Sequence, residues 1–311
     1  VQTALTDFTG AMATALPINA TTGSAWSDSF IGDFPHFGVS ASLGATLIPS
    51  SALNDVLGVM GLSLDSLGSE ASSVLALGVP FPAWVVQARI GGFILPFDIG
   101  VKYGTIPESL NVFSGLGDGY VFSYTLAGLD LRYDILNEKK NFIDLSVGGG
   151  VYYLAGKIQI PLDGVVNDYT FTAPDSSSHT ISFDTPNLYL GWESVSFDLN
   201  AQVSKQILFL TPYLGAGLTL GNPAVTSGIT ATNIYLDGAA TDASALSNYF
   251  NGLDTSFTNG WVTNSTLTNS VDARVYGGFS FDIFVVHLDL NAMYSFIGQN
   301  YGGSLNLRVQ L

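Results

Sequence analysis

The chain of 311 residues contains no cysteine, which excludes disulfides and thiolate metal sites. Charge is also scarce: 11% of residues are Asp, Glu, Lys or Arg, against about 25% in ordinary soluble domains. Basic residues are the rarest, nine against 25 acidic, for a net charge of −16. That balance argues against nucleic acid as a partner. His36 and His179 stand alone in the sequence, so no metal cluster and no cofactor are expected. Long apolar runs are missing too. The best candidates are "ASSVLALGVPFPAWVVQA" (71–88), broken by Gly78, Pro80 and Pro82, and the short "LFLTPYLGAGLTLG" (208–221). Neither makes a clean transmembrane helix of about 20 residues. "VQTALTDFTG" has neither the basic nor the apolar region of a signal peptide, and we expect Val1 to follow a cleavage site.

What is abundant is apolar and small. Hydrophobic residues make up 47% of the chain, with 35 Gly, 20 Phe and 14 Tyr. Mean hydropathy is +0.36. So apolar a chain, with so little charge, would dissolve poorly if water alone met its surface. The apolar residues alternate. In "GGSLNLRVQL" Leu305, Leu307, Val309 and Leu311 share one face, and Ser304, Asn306, Arg308 and Gln310 share the other. "VDARVYGGFSFD" (271–282), "VVHLDLNAMYSF" (285–296) and "LAGLDLRYDIL" (126–136) repeat the pattern, as do 36–48, 84–93, 97–105, 141–156, 194–203 and 209–220. A soluble β-sandwich has shorter strands with polar outer faces. Strands of this length with one greasy face fit an antiparallel up-and-down barrel with lipid outside and a polar lumen. Outer-membrane lipid is then the first partner.

The connections agree. "ILP", "NEKKN", "SKQI" and "IF" are short; those near 49–82, 106–119, 161–186 and 222–270 are long. Strict alternation of short and long predicts about ten strands, with 8 or 12 as alternatives. Residues 1–34 then form a periplasmic segment able to plug the lumen, and 35–311 the barrel. Both termini fall in the periplasm and the long loops outside. A phase slip at Glu193-Ser194 reads as a bulge or a strand start.

The four long loops contain acidic residues and no Lys or Arg. They form either a solubilising surface or a contact for a host or cell-surface partner. The wet phase carries Arg89, Asp98, Lys102, Asp130, Arg132, Asp134, Asp144, Asp198, Asp282, His287, Asp289 and Arg308, mostly near short turns. Inside a narrow tube such charges must be paired or hydrated. They form a belt that either holds the barrel closed or gates it. Ten strands leave too little room for a wide diffusion porin. Three segments outside the strands have helical periodicity: Leu5, Phe8, Met12 and Leu16; Leu53, Val56, Leu57 and Met60; and Leu246, Tyr249, Phe250, Leu253, Phe257 and Trp261. The first is placed to enter the lumen, and the other two to cap the outer mouth. Phe8, Met12, Leu53, Leu57, Met60, Tyr249, Phe250, Phe257 and Trp261 are therefore the candidate contacts for an apolar ligand. No catalytic residues are expected. His287 and Asp289 share a face, but they follow a short turn. The His–Asp pair of the ten-stranded omptin proteases lies at the opposite, outer rim.

The stretch "ALPINATTGSAWSDSFIGDFPHFGVSASLGATL" (15–47) resembles the start of spirochaetal, mostly treponemal, outer-membrane barrel proteins, through Ala15, Leu16, Pro17, Asn19, Trp26, Ser27, Asp28, Ile31, Gly32, Pro35, His36, Phe37 and Gly38. "LPFDIGVKYG" (95–104) fits the same group. The resemblance implies a location and an architecture, and no activity. Plug and apolar loops are similar in kind to the long-chain fatty-acid transporters, an analogy of fold alone. The expected role is passive, selective uptake of a small apolar or amphipathic molecule. The alternative is a surface adhesin or binding protein on a sealed barrel.

Overall fold

The alternating stretches are antiparallel strands that close on themselves. The computed structural model describes residues 2–32, 34–51, 78–92, 95–108, 120–161, 168–172, 176–184, 187–230, 233–241, 262–267 and 270–311. A helix, α1 (Gln2–Asn19), comes first. The strands follow: β1 (Phe37–Ile48), β2 (Val79–Gly91), β3 (Phe97–Ile106), β4 (Val121–Leu136), β5 (Asp144–Pro161), β6 (Tyr169–Thr172), β7 (Ser178–Phe183), β8 (Asn187–Ser204), β9 (Leu210–Thr230), β10 (Ile234–Leu236), β11 (Ala239–Thr241), β12 (Val262–Leu267), β13 (Ser270–Ile283), β14 (Val286–Ser295) and β15 (Tyr301–Gln310).

Ten strands make the wall, ordered β1-β2-β3-β4-β5-β8-β9-β13-β14-β15. β15 pairs back onto β1, from Gly38↔Gln310 to Leu47↔Tyr301, and this removes the last free edge. Leu43, Leu131, Phe197, Leu199, Leu214, Leu218 and Leu307 are exposed on the outer face. Their chain neighbours Ser42, Arg132, Asp198, Thr219 and Arg308 are buried within. An apolar girdle of this extent, on a sheet closed into a ring, is what a bilayer requires of a spanning sheet. The chain is a transmembrane β-barrel.

Several strands run beyond the stretches marked by lipid-type alternation. β2 starts at Val79, β5 reaches Pro161, β8 starts at Asn187 and β9 reaches Thr230, so each of these takes residues assigned to a long loop or left between strands. The cause is an inversion of polarity. In the part of β4 nearest the long loops, Phe122, Tyr124 and Leu126 point inward; nearer the short turn, Asp130 and Arg132 do. β8 does the same, with Leu190 and Trp192 inside, then Ser194, Ser196 and Asp198. No bulge occurs at Glu193-Ser194, because β8 keeps one register against β5 and β9 through that point. The apparent slip marks the level at which the wall leaves lipid. Above it the outer face meets water, and the lumen becomes the apolar side. Pro80 and Pro82 fit in β2 because its pairing with β3 begins only at Val86, and they need no amide partner on that side.

Segments expected to be loops add a small sheet, β11-β10-β7-β6. There the His179 Nδ1 lies 2.7 Å from Asp237 Oδ2, and the Thr180 amide donates to Asp237 Oδ1 at 2.8 Å. These bonds hold the Asp237 carboxyl below its usual range.

Leu199 lies midway along the outward face of β8. Leu199→Arg should destabilise the barrel in bilayers by about 2–4 kcal/mol. Urea titration of the protein folded into phospholipid vesicles measures this.

Candidate functional site

The candidate site is the lumen, which the N-terminal segment fills. α1 has four Ala, two Leu and one Met, all good helix formers, and it buries Met12, Ala13, Ala15 and Leu16. These pack with Ile48, Phe81, Val85, Phe122, Leu126, Leu154, Leu190, Trp192 and Val225, the inward residues of the half of the wall nearest the long loops. Phe81 meets Trp192 edge to face, with ring centres 4.9 Å apart. Glycine makes room for the helix: a Cβ on Gly221 would sit 2.4 Å from Pro17 Cγ. Asn19 then ties the helix end to the wall through Phe81 O at 2.9 Å.

Lys102 lies below the helix. Its ammonium is buried and donates to Ala20 O at 2.6 Å, Thr22 O at 2.9 Å and Ser24 Oγ at 2.7 Å. Its Nζ also stands 3.9 Å from the centre of the Tyr152 ring. A cation at the carbonyl end of a helix satisfies orphan acceptors and complements the helix dipole. Lys102 therefore joins the apolar tier above to the charged tier below.

The segment after the helix runs through the charged tier. Trp26 lies between two guanidinium groups, with Arg89 Cζ 5.3 Å and Arg308 Cζ 5.2 Å from its ring centre. Its indole N–H donates to Gln87 Oε1 at 2.9 Å. Gln202 donates to Trp26 O at 2.7 Å and to Ser27 O at 3.1 Å. Arg132 donates to Asp28 O at 2.6 Å, and Arg308 pairs with Asp28 Oδ2 at 2.9 Å. The Ile31 amide reaches Asp98 Oδ2 at 3.3 Å. Gly38 on β1 faces the Trp26 ring, which a Cβ would meet at 2.8 Å.

The belt residues themselves fall into sets. Arg89 pairs with both Asp98 and Asp130. Arg132 approaches Asp98 with Nε at 3.0 Å and Nη2 at 2.8 Å, the fork geometry that suits guanidinium and carboxylate. Arg308 Nε donates to Asp289 at 3.0 Å. Arg274 Nη2 lies 2.8 Å from Asp198 Oδ2. His287 pairs through Nδ1 with Asp282 at 2.7 Å and not with Asp289, so the His287–Asp289 dyad considered from the sequence is not formed. Asp134 accepts from Asn137 Nδ2 at 3.1 Å, and Asp144 from the Glu138 amide, both at the short-turn mouth. That mouth is a cavity of about 620 Å³, with Asp28, Asp134, Asp144, Lys139 and His287 on its walls.

Of the candidate ligand contacts, Met12 is buried in the apolar tier and Phe8 packs at its edge. Leu53, Leu57, Met60, Tyr249, Phe250, Phe257 and Trp261 lie outside the described residues. Sequence reasoning missed Trp26, Gln87, Gln202 and the whole inward apolar row from Phe81 to Trp192. The inverted alternation in 121–126 and 188–193 was the signal that could have found the row. Trp26 and Gln202 had none, since their roles depend on a contact between segments far apart in the chain.

No protein-family model matches this chain. No curated protein matches it significantly. Among solved structures, it is similar to the Ralstonia pickettii toluene transporter TbuX, at 9% identity and a TM-score of 0.27, over 94% of this chain and 90% of that one. It is similar also to the CymD monoaromatic hydrocarbon channel, at 9% identity and a TM-score of 0.23, over 88% of this chain and 87% of that one. Superpositions this loose carry no argument about function. The treponemal resemblance rests on its residues alone.

Lys102→Met should take the ammonium from the buried carbonyls of Ala20 and Thr22 and destabilise the folded barrel by about 1–3 kcal/mol. Protease cleavage of the segment should rise in parallel, read by gel after limited digestion in detergent. Gly221→Val should cost about 1–3 kcal/mol by overpacking against Pro17, and almost nothing in a chain lacking residues 1–34. Denaturant midpoints of the four proteins measure the difference.

Proposed function

We propose that this is an outer-membrane barrel for passive, selective uptake of a small apolar or amphipathic molecule, with its termini periplasmic and its long loops outside. The observation that carries the reading is the two-tier lumen. An apolar chamber, filled by α1 and packed around Trp192, Phe81 and Met12, lies toward the long loops, and a charged constriction lies toward the short turns. A molecule entering from outside would meet apolar lining first and exchange contacts with α1. Onward passage would require residues 20–32 to release the belt. In this role Phe8 and Met12 line the path and the segment 1–34 is the plug. The outer-loop residues would gather the ligand, and Arg89, Asp98, Arg132, Asp289 and Arg308 would form the gate.

A second reading is a surface-binding protein whose barrel is only an anchor. The small outer sheet β11-β10-β7-β6 and the sealing of the belt by Trp26 and Asp28 favour it. Deleting residues 1–34 separates the two. Under the uptake reading, conductance in planar bilayers rises well above that of the full chain. Unchanged conductance favours the anchor. Bromododecanoic acid should also quench tryptophan fluorescence saturably, and Trp192→Phe should remove most of that quenching. Equal saturable quenching in the variant would rule out the chamber as the binding place.

A further inference from the structure

The short turns carry an unexpected set of side chains. Phe284 is 98% exposed, Leu208 86% and Phe142 82%. Ile207, Phe209, Ile283, Val285 and Leu95 are exposed beside them. Turns that end in water carry Gly, Asn, Asp and Ser. The backbone sharpens the anomaly. Leu208 has φ 59° and Phe284 φ 56°, the left-handed conformation that two-residue hairpin turns fill with Gly or Asn. Here a bulky apolar side chain occupies it twice, on turns at different positions around the rim. Both turns keep their backbone paired: the Ile207 amide donates to Leu210 O at 2.8 Å and the Leu210 amide to Ile207 O at 3.0 Å, and Ile283 pairs with Val286.

The height of the wall agrees. On β3 the outward apolar run goes only from Phe97 to Tyr103, with Thr105 above it. Six steps at about 3.3 Å, tilted about 40°, cover roughly 15 Å of a hydrocarbon band about 25 Å tall. On β8 the run from Val195 to Val203 covers roughly 20 Å, with Glu193 exposed above it. On these two strands, closed above by Thr105 and Glu193, the remaining height is left to the short-turn end. The aromatic residues point the same way. Near the long loops the outward rings are mostly tyrosines, Tyr103, Tyr153, Tyr294 and Tyr301 beside Phe296, and their hydroxyls suit an interface. Near the short turns they are Phe37, Phe97, Phe142, Phe209, Phe281 and Phe284, with Tyr133 among them. Phenylalanine has no polar tip to place at an interface. Lys139, Lys140 and Lys205 stand on the same turns, and Lys205 Nζ lies 5.2 Å from the Phe142 ring centre. Long cationic stems can bury their methylenes and reach phosphate headgroups.

We propose that the short turns are submerged in the adjacent leaflet, with Leu208, Phe209, Phe284 and Phe142 among acyl chains. The proposal rests on the barrel spanning a bilayer. With no native cysteine to remove, Leu208→Cys, Phe284→Cys, Leu214→Cys (the lipid-facing wall) and Ala240→Cys (the outer sheet) can each carry an environment-sensitive fluorophore. In phosphatidylethanolamine–phosphatidylglycerol vesicles, acyl-chain nitroxide should quench positions 208 and 284 as strongly as 214, and iodide should quench only 240. Iodide quenching at 208 and 284 with 214 protected overturns the proposal alone. Iodide quenching at 214 as well overturns the spanning wall and the proposal with it. Quenching by iodide in vesicles but not in native membranes would identify a protein occupant, and would also overturn it. As a second arm, Leu208→Asn with Phe284→Asn suits the turn conformation better. It should keep or raise the unfolding midpoint in micelles while slowing insertion into vesicles severalfold. Unaltered insertion would contradict the submerged turns.

Discussion

The lumen of a ten-stranded tube has little room for bulk water, so each charge pointing into it needs a partner made of protein. That constraint organises the molecule. The wall alone does not meet it: Lys102 finds its hydrogen-bond acceptors on residues 20–24, and Arg308 divides itself between Asp289 of the wall and Asp28 of the segment. Gln202 has its two acceptors on the segment as well. The N-terminal segment is therefore part of the electrostatics of the barrel. A buried ion pair adds little net stability when intact, and removing one partner is costly. Segment and charged tier stand or fall together.

Above the belt the same tube follows the opposite rule. The inward phase changes from Asp and Arg to Phe, Leu and Trp without any change of register, and the outward phase changes from Leu and Val to Thr, Lys and Glu. Two solvents act on one strand, hydrocarbon along its lower part and water along its upper part. Each dictates which face must be apolar. α1 is accommodated because the upper lumen has become an ordinary hydrophobic core, with a helix packed inside a sheet.

This explains which features could be read from the sequence. Alternation in 271–282, 285–296 and 302–311 marked the lower wall, because lipid imposes period two with one sign throughout. The even strand number followed from turn lengths. The upper wall was hidden because its alternation has the other sign, and a search for lipid-facing rows passes over it. The charged residues were legible as a set, since a charge on the wet phase of a narrow barrel has few explanations. Their pairing was not: His287 sits two residues from Asp289 and bonds Asp282 across the hairpin instead. Trp26 was visible only as part of a resemblance. Nothing local in "SAWSDS" indicates that it will lie between Arg89 and Arg308.

The seam between the first and last strands carries a consequence for assembly. β1 and β15 zip together from Gly38↔Gln310 to Leu47↔Tyr301, and Trp26 and Ser27, well ahead of β1 in the chain, are gripped by Gln202 of β8 and Arg308 of β15. A cylinder whose first and last strands meet around a segment of the same chain couples closure to filling: Arg308, on one lip of the seam, also holds what lies inside.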